Sequence, residues 1–186
     1  PVISAQPKPF ATSFFSEMTR LAIKNNAINL WQGFPDFDGP PELIEAVSAA
    51  MRESHNQYSR SMGHPLLVSA IADRQRRLYG LSYDPMREVV VFSGATEGLF
   101  STMIGLLNPG DEVILFEPFY DSYRASAAMA GATPRFVTLR PQADAALAFD
   151  PTELRAAITL ATRAILTNTP HNPTGKVFTR GELQGI

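Results

Sequence analysis

The sequence predicts an α/β fold with a mainly parallel sheet, and three features of its second half support this fold class. From residue 89 onward, short apolar runs typical of buried strands alternate with helix-like segments. The run at 89–92 passes directly into a small-residue turn and then into an amphipathic stretch. Turn signals, such as Asn-Pro-Gly-Asp at 108–111, separate the segments. Alternation at this spacing favours right-handed strand–helix–strand crossovers and hence parallel pairing.

The first part of the chain is predicted to be mostly helical. Residues 1–12 are rich in proline and predict an irregular arm. Helices are expected at 14–24, 41–53 and 65–79, because apolar residues recur there on one face and Pro or Gly marks their ends. A short strand is expected at 28–30, before a turn at Gly33 where the backbone can approach a ligand.

The remaining elements follow in alternation. Strands are predicted at 89–93, 113–117, 134–139 and 163–168. Helices are predicted at 95–107, 120–130 and 151–160. A capping box from Thr179 to Glu182 predicts one more helix. Since ligands of parallel sheets bind beyond the carboxyl ends of the strands, Gly94, Tyr120 and Asn172 are expected at one edge.

The corner formed by Gly94, Ala95 and Thr96 is the first candidate site. A strand that becomes a helix here leaves free backbone N–H groups at the helix N-terminus, with the positive end of the helix dipole behind them. The Thr96 hydroxyl adds a donor, so the corner can hold a phosphate. An ordinary strand–helix corner of an α/β protein has the same pattern, so this segment alone does not decide between the two interpretations.

Composition excludes several classes of protein. Of the 186 residues, 45% are hydrophobic and 18% charged, and the net charge of −2 is typical of a globular protein without nucleic-acid partners. No apolar run reaches the length of about 18 residues that a membrane span requires. The absence of cysteine excludes thiolate chemistry and disulfides, and three separate histidines do not predict a metal site. A cytoplasmic location is expected.

Five segments together resemble the class I/II aminotransferases of the fold type I pyridoxal-phosphate enzymes, with the kynurenine, methionine and succinyldiaminopimelate branch the most similar. The segments are Gln-Gly-Phe-Pro-Asp at 32–36, Asn-Gln-Tyr at 56–58, Gly-Ala-Thr-Glu at 94–97, Glu-Pro-Phe-Tyr-Asp-Ser-Tyr at 117–123 and Asn-Pro-Thr-Gly at 172–175. They occur in the family's order and spacing. The resemblance implies a truncated three-layer α/β/α fold. Residues 1–35 would be the arm and part of the small domain, and 36–186 the incomplete first half of the large cofactor domain.

The resemblance implies that pyridoxal 5'-phosphate is the cofactor. Its phosphate would be bound by Gly94, Ala95 and Thr96. The Tyr120 ring would stack on the pyridine ring, and Asn172 would donate to the phenolic oxygen. Without the resemblance, the favoured interpretation of Tyr120 is a core or surface aromatic residue at the start of a helix, and that of Asn-Pro-Thr-Gly is an ordinary turn.

Two contacts beyond one cofactor molecule are also implied. Tyr58 matches a residue that reaches the cofactor phosphate of the neighbouring subunit in a homodimer. Gly33 matches a backbone contact to the substrate carboxylate, and Asn172 is a second expected substrate contact. His171, in contrast, is expected to be structural rather than a base.

The family's chemistry needs a lysine that binds the cofactor covalently and moves the substrate proton. The only lysines here are Lys8, Lys24 and Lys176, and none lies in the matching motif. The catalytic lysine is therefore absent from this chain, so we expect the 186 residues alone to be inactive. The first expectation is an aminotransferase, represented by a fragment, that moves an amino group from an α-amino acid to a 2-oxo acid.

Two alternatives remain open from the sequence: a non-catalytic truncated product, and a cofactor-dependent β-lyase of the same fold. In the family's sheet, later strands separate the strand at 89–93 from the other three. We therefore expect this segment to have no sheet neighbours here.

Overall fold

The computed structural model describes residues 14–31, 33, 35–143 and 145–186. The described chain forms two compact units, Phe14–Ser93 and Gly94–Ile186. The predicted division at residues 35 and 36 remains a prediction.

The unit Phe14–Ser93 contains three helices, all close to their predicted positions: α1 (Phe14–Lys24), α2 (Pro41–Arg52) and α3 (Pro65–Tyr79). The N-cap residue of α3 is His64, whose Nδ1 accepts the Leu66 N–H at 3.3 Å. Its C-cap residue is Gly80, which has a left-handed φ of 69°. A small core of Val68, Ala72 and Val89 supports it.

Two predicted strands of this unit do not form. Within the described residues, neither 28–30 nor 89–93 is hydrogen bonded into a sheet. In 89–93, Val91 N–H donates instead to the Met62 carbonyl oxygen at 3.1 Å. The strand predictions at these two places are wrong because an apolar run becomes a strand only beside a partner strand. For the part of the chain that the structure describes, the expectation that 89–93 has no sheet neighbours is confirmed.

The unit Gly94–Ile186 is built on a parallel sheet. Three strands, β1 (Glu112–Glu117), β2 (Thr133–Thr138) and β5 (Thr162–Leu166), pair in the order β2-β1-β5, with both pairs parallel. Helix α4 (Ala95–Leu106) precedes β1, helix α5 (Asp121–Met129) connects β1 to β2, and helix α6 (Pro151–Ala157) precedes β5. The predicted α/β class with parallel pairing is confirmed.

Alternate residues of β1 divide the core into two clusters, one on each face of the sheet. Val113 and Leu115 pack with residues of α4 and α5, and Ile114 and Phe116 pack on the opposite face with α6. The members outside β1 are Met103, Leu107, Tyr123, Ala127, Ala130 and Ala132 in the first cluster, and Val137, Leu139, Phe149, Leu154 and Phe178 in the second. This arrangement is the expected three-layer α/β/α architecture.

A few boundaries differ from prediction. Helix α6 ends at Ala157 rather than near residue 160, because Ile158 is already extended and Thr162 Oγ1 accepts the Thr159 N–H. A two-stranded hairpin, β3 (Arg140–Pro141) with β4 (Leu147–Ala148), was not predicted. The last helix, α7 (Arg180–Gly185), begins at the predicted capping box. Within the described residues, no helix combines the length and apolar character that crossing a membrane demands.

The amino ends of the three strands are held together by Glu112. Its Oε1 accepts from Arg135 of β2 at 2.6 Å, and its Oε2 accepts the Thr159 hydroxyl at 2.6 Å, just before β5. The hydrogen bond from Arg135, and then that from Thr159, lowers the pKa of Glu112 below its ordinary value. These contacts fix one end of the sheet, opposite the carboxyl ends of the strands.

Candidate functional site

The N-terminus of α4 provides a group of hydrogen-bond donors. The first intrahelical hydrogen bond runs from Gly98 N–H to the Gly94 carbonyl oxygen, at 3.3 Å. The amides of Ala95 and Thr96 therefore precede the hydrogen-bonded part of the helix, and both residues are exposed. Gly94 has φ 99° and ψ 158°, and a Cβ there would meet nothing within 4 Å. The geometry is that of an open anion site at a helix N-terminus.

Helix α4 leads directly into β1. A short connection, residues 107–111, joins the end of α4 to the start of β1, and Leu99 and Met103 of α4 pack on the cluster that contains Val113 and Leu115. Helix α4 therefore shares a packed core with β1. The expected placement of Gly94 at one edge with Tyr120 and Asn172 remains a prediction.

Tyr120 is positioned by the end of β1 and the start of α5. It is the N-cap residue of α5, is partly buried, and contacts the Tyr123 ring edge-on, with the ring centroids 5.9 Å apart. The preceding residue, Phe119, stacks on Phe136 of β2 with centroids 5.4 Å apart and planes within 9°. The Phe119–Phe136 contact anchors the segment, and the neighbouring Tyr120 offers an aromatic ring at the edge of the sheet.

Asn172 lies in a tight turn after β5. The His171 N–H donates to the Lys176 carbonyl oxygen at 2.8 Å, and the Gly175 N–H donates to the His171 carbonyl oxygen at 2.7 Å. Asn172 itself is exposed, and its carboxamide makes no hydrogen bond to another described residue. The turn therefore presents a free amide donor and acceptor beyond the carboxyl end of β5.

His171 has the structural role that the sequence predicts. It is buried, with 4% of its surface exposed, and its Nδ1 lies 2.9 Å from Thr174 Oγ1. Burial lowers the pKa of the imidazole, against a raising hydrogen bond to the Phe116 backbone. The buried ring thus holds the Asn172 turn through Thr174, as expected for a structural residue.

The side chains of Asn168 and Tyr123 join these segments. The sequence analysis assigned neither of them a role. Asn168 Oδ1 accepts the Asn172 N–H at 2.7 Å and lies 3.4 Å from the Tyr123 hydroxyl oxygen. Tyr123 lies one helical turn after Tyr120, which gives a sequence signal for their contact. Asn168 and Asn172 lie outside any helix, where a spacing of four residues predicts no contact. Only the fold shows that the two side chains meet.

The other two predicted site residues belong to the unit Phe14–Ser93. Tyr58 is fully exposed, and Gly33 is exposed, with no atom within 4 Å of the position that a Cβ would take. Gln32 and Phe34 of the same motif lie outside the described residues. The predicted roles of Tyr58 and Gly33 remain predictions.

The donor set of the Gly94–Ile186 unit fits a phosphorylated planar cofactor. Helix amides and a hydroxyl are suited to phosphate, the Tyr120 ring to a flat π-system, and the Asn172 carboxamide to a ring oxygen. A covalent lysine is missing from this set. Lys176 is held by Glu182 at 2.7 Å with 8% of its side chain exposed, Lys24 ends α1, and Lys8 lies outside the described residues.

Residues 25–186 match the family described as aminotransferase class I and II. The chain belongs to this family. Members of the class I and II aminotransferases are generally dependent on pyridoxal phosphate and act on small amino and oxo acids.

Individual relatives agree with the family assignment. A probable N-succinyldiaminopimelate aminotransferase, DapC, of Mycobacterium tuberculosis is 48% identical over 179 residues, which cover 96% of this chain and 45% of the relative. Kynurenine–oxoglutarate transaminase 3 of Mus musculus is 44% identical, over 91% of this chain and 39% of the relative. The solved N-succinyldiaminopimelate aminotransferase of M. tuberculosis superposes with a TM-score of 0.94 at 46% identity, covering 99% of this chain and 48% of that structure. The chain spans less than half the length of these relatives.

Proposed function

We propose that the protein containing this chain is a pyridoxal-phosphate-dependent aminotransferase that moves an amino group from an α-amino acid to a 2-oxo acid. The observation that carries the proposal is the open helix N-terminus at Gly94, Ala95 and Thr96, in a chain that the aminotransferase family matches over 25–186. Relatives are named for succinyldiaminopimelate and kynurenine. We extend the proposed donors to aromatic and sulfur-containing amino acids and to succinyldiaminopimelate, and the proposed location is the cytoplasm.

Each residue of the site has a proposed role that its local geometry supports. The amides of Ala95 and Thr96 and the Thr96 hydroxyl bind the cofactor phosphate, and Gly94 keeps the backbone open for it. Tyr120 stacks on the pyridine ring. The exposed Asn172 carboxamide donates to the phenolic oxygen and contacts the substrate. The cofactor, when bound, supplies the electron sink for the bond changes at the substrate Cα.

Two roles in this proposal depend on a second subunit or on the substrate. In a homodimer, the fully exposed Tyr58 reaches the cofactor phosphate of the neighbouring subunit. The Gly33 backbone contacts the substrate carboxylate, and its exposure and lack of neighbours leave room for this contact.

The test uses the protein as its gene encodes it, purified with pyridoxal phosphate. We expect it to retain the coenzyme after desalting, with a visible absorption band, and to transfer amino groups from the proposed donors to a 2-oxo acid. Retention without transfer, but with release of ammonia and pyruvate from a β-substituted amino acid, would identify the β-lyase alternative. Failure to retain the coenzyme at all would overturn the proposal.

A further inference from the structure

We propose that Asn168 is a positioning residue for the candidate site: its side-chain oxygen fixes the backbone of Asn172 and joins the turn to Tyr123 on helix α5. The inference rests on the proposed function, because it concerns the orientation of a residue proposed to contact the cofactor. Asn168 touches neither the cofactor nor the substrate in this proposal. It acts through Asn172.

The first supporting contact is the short hydrogen bond to the turn. Asn168 Oδ1 accepts the Asn172 N–H at 2.7 Å. A backbone N–H can only donate, so the carboxamide must present its oxygen there. Pro170 and Pro173 have no N–H groups, so within residues 170–173 only His171 and Asn172 have backbone donors. The Asn168 bond therefore restricts the backbone at the residue whose carboxamide faces outward.

The second supporting contact comes from the core. Tyr123 is buried, with 7% of its surface exposed, in the cluster with Met103, Val113 and Leu115. A buried tyrosine hydroxyl needs a hydrogen-bond partner, and Asn168 Oδ1 lies 3.4 Å from it. Burial raises the pKa of Tyr123, which keeps its hydroxyl protonated as a donor. The buried Tyr123 ring therefore restricts the position of the Asn168 side chain.

The two contacts have one consequence for the site. The Asn172 carboxamide makes no hydrogen bond to a described residue, so its direction depends on the backbone that carries it. Asn168 sets that backbone and connects it to Tyr123, which packs against the Tyr120 ring. The stacking ring and the amide donor are thus held in one hydrogen-bonded and packed arrangement.

The test compares Asn168→Ala, Asn168→Asp and, as the matched control, Thr167→Ala. Thr167 is the exposed neighbour and makes no side-chain hydrogen bond among the described residues. All variants are made in the protein as its gene encodes it. The first readout is amide hydrogen exchange of the segment around Asn172 without cofactor. We expect faster exchange in Asn168→Ala only, because Asp keeps the acceptor oxygen.

The second readout is the dissociation constant for pyridoxal phosphate, measured in a double-mutant cycle that combines Asn168→Ala with Asn172→Ala. We expect Asn168→Ala to weaken binding by up to about tenfold in the wild-type background. In the Asn172→Ala background we expect almost no further effect, because the residue through which Asn168 acts is gone. The pH midpoint of the bound coenzyme's visible absorption should also shift in Asn168→Ala and not in Thr167→Ala.

Unchanged exchange in Asn168→Ala, or equal losses of affinity in both backgrounds, would overturn the positioning role. If the wild-type protein binds no pyridoxal phosphate, the proposed function fails instead, and the exchange measurement alone decides the role of Asn168. A lower thermal midpoint with unchanged exchange near Asn172 would show that Asn168 only stabilises the fold, which also contradicts the proposal.

Discussion

At Gly94 the backbone adopts φ 99° and ψ 158°, a conformation that is open essentially to glycine alone. A Cβ would meet no atom within 4 Å, so the cost of a side chain is backbone strain rather than crowding. We expect Gly94→Ala to lower the free energy of unfolding by about 1–3 kcal/mol, or to deform the helix N-terminus and lose phosphate binding. Urea unfolding and coenzyme titration measure the two effects.

The matched control for Gly94→Ala is Gly105→Ala in the same helix. Gly105 lies within α4 with open space around it, and its φ is not left-handed. Alanine there should stabilise the protein by about 0.5–1 kcal/mol because it favours the helix. Equal effects of the two substitutions would contradict a special backbone role for Gly94.

Thr96 contributes a hydroxyl at the same helix end. We expect Thr96→Val to weaken coenzyme affinity by about 1.5–3 kcal/mol, since it removes one donor to a charged acceptor without changing the shape of the side chain. The rate of amino transfer at saturating coenzyme should change less than the affinity does. Thr96→Ser keeps the hydroxyl and is expected to retain most of the affinity. Wild-type affinity in the Val variant would show that the phosphate lies elsewhere.

Among the elements, the sheet depends on the Glu112 contacts at its amino end. Glu112 is 8% exposed, and its carboxylate accepts hydrogen bonds from Arg135 and Thr159 on either side. We expect Glu112→Gln to lower the urea midpoint at neutral pH, because the charge-assisted bonds to both neighbours are weakened. The exposed Glu45→Gln, on α2, is the control and should leave the midpoint unchanged.

The same contacts predict how the difference in urea midpoint between the wild type and Glu112→Gln depends on pH. The pKa of Glu112 is lower in the folded protein than the ordinary glutamate value of about 4.3. Its contribution is therefore fully present above that value and is lost as the pH falls through the folded-state pKa. The gap between wild type and Glu112→Gln should shrink in acid. A gap that is constant from neutral pH to acid would contradict this account.

At the scale of the whole chain, large apolar surfaces stay in contact with water. On α2, Leu43, Ile44, Val47 and Met51 are each between 50% and 60% exposed. In the other unit, an apolar cavity of about 170 Å³ opens between α4 and the sheet; its walls include Leu99, Met103, Leu106 and Leu166. Strand β5 has a hydrogen-bonded partner on one side only among the described strands.

These surfaces predict the behaviour of the 186-residue chain expressed by itself. We expect it to bind a hydrophobic dye strongly, to aggregate with rising concentration, and to lack a cooperative melting transition. Size-exclusion chromatography, dye fluorescence and calorimetry check these outcomes. A monomer with a sharp transition and dispersed amide signals would mean that the chain packs these faces in some other way.

The 186-residue chain is also expected to show no amino transfer. Lys176 is held in an ion pair with Glu182, so none of the described lysines combines exposure with a place in the candidate site. Loss of the covalent lysine removes the cofactor's anchor and the proton carrier together, and such residues act as a unit. Turnover by the purified chain, free of host enzymes, would contradict this prediction.

The elements that the sequence predicted well are those with a strong local signal. The run at 113–116 is apolar on both faces and forms most of the central strand β1. Helices α6 and α7 begin where predicted, after the capping residues Asp150 and Thr179. The segment at 89–93 has as strong an apolar pattern, yet it forms no strand because none of the described strands lies beside it. Pairing partners are distant in sequence, so a local pattern cannot supply them.

The candidate site divides in the same way. Residue types and helix signals placed Gly94 and Thr96 at a helix N-terminus and Asn172 in a turn, because each feature depends on its own few neighbours. The meeting of Tyr123, Asn168 and Asn172, and the burial of His171 against β1, follow from the parallel pairing of β1 with β5. By itself the sequence determined the α/β class, most helices and the resemblance to the aminotransferases. Only the tertiary structure decided which apolar run paired and which side chains met, because those contacts join residues far apart in the chain.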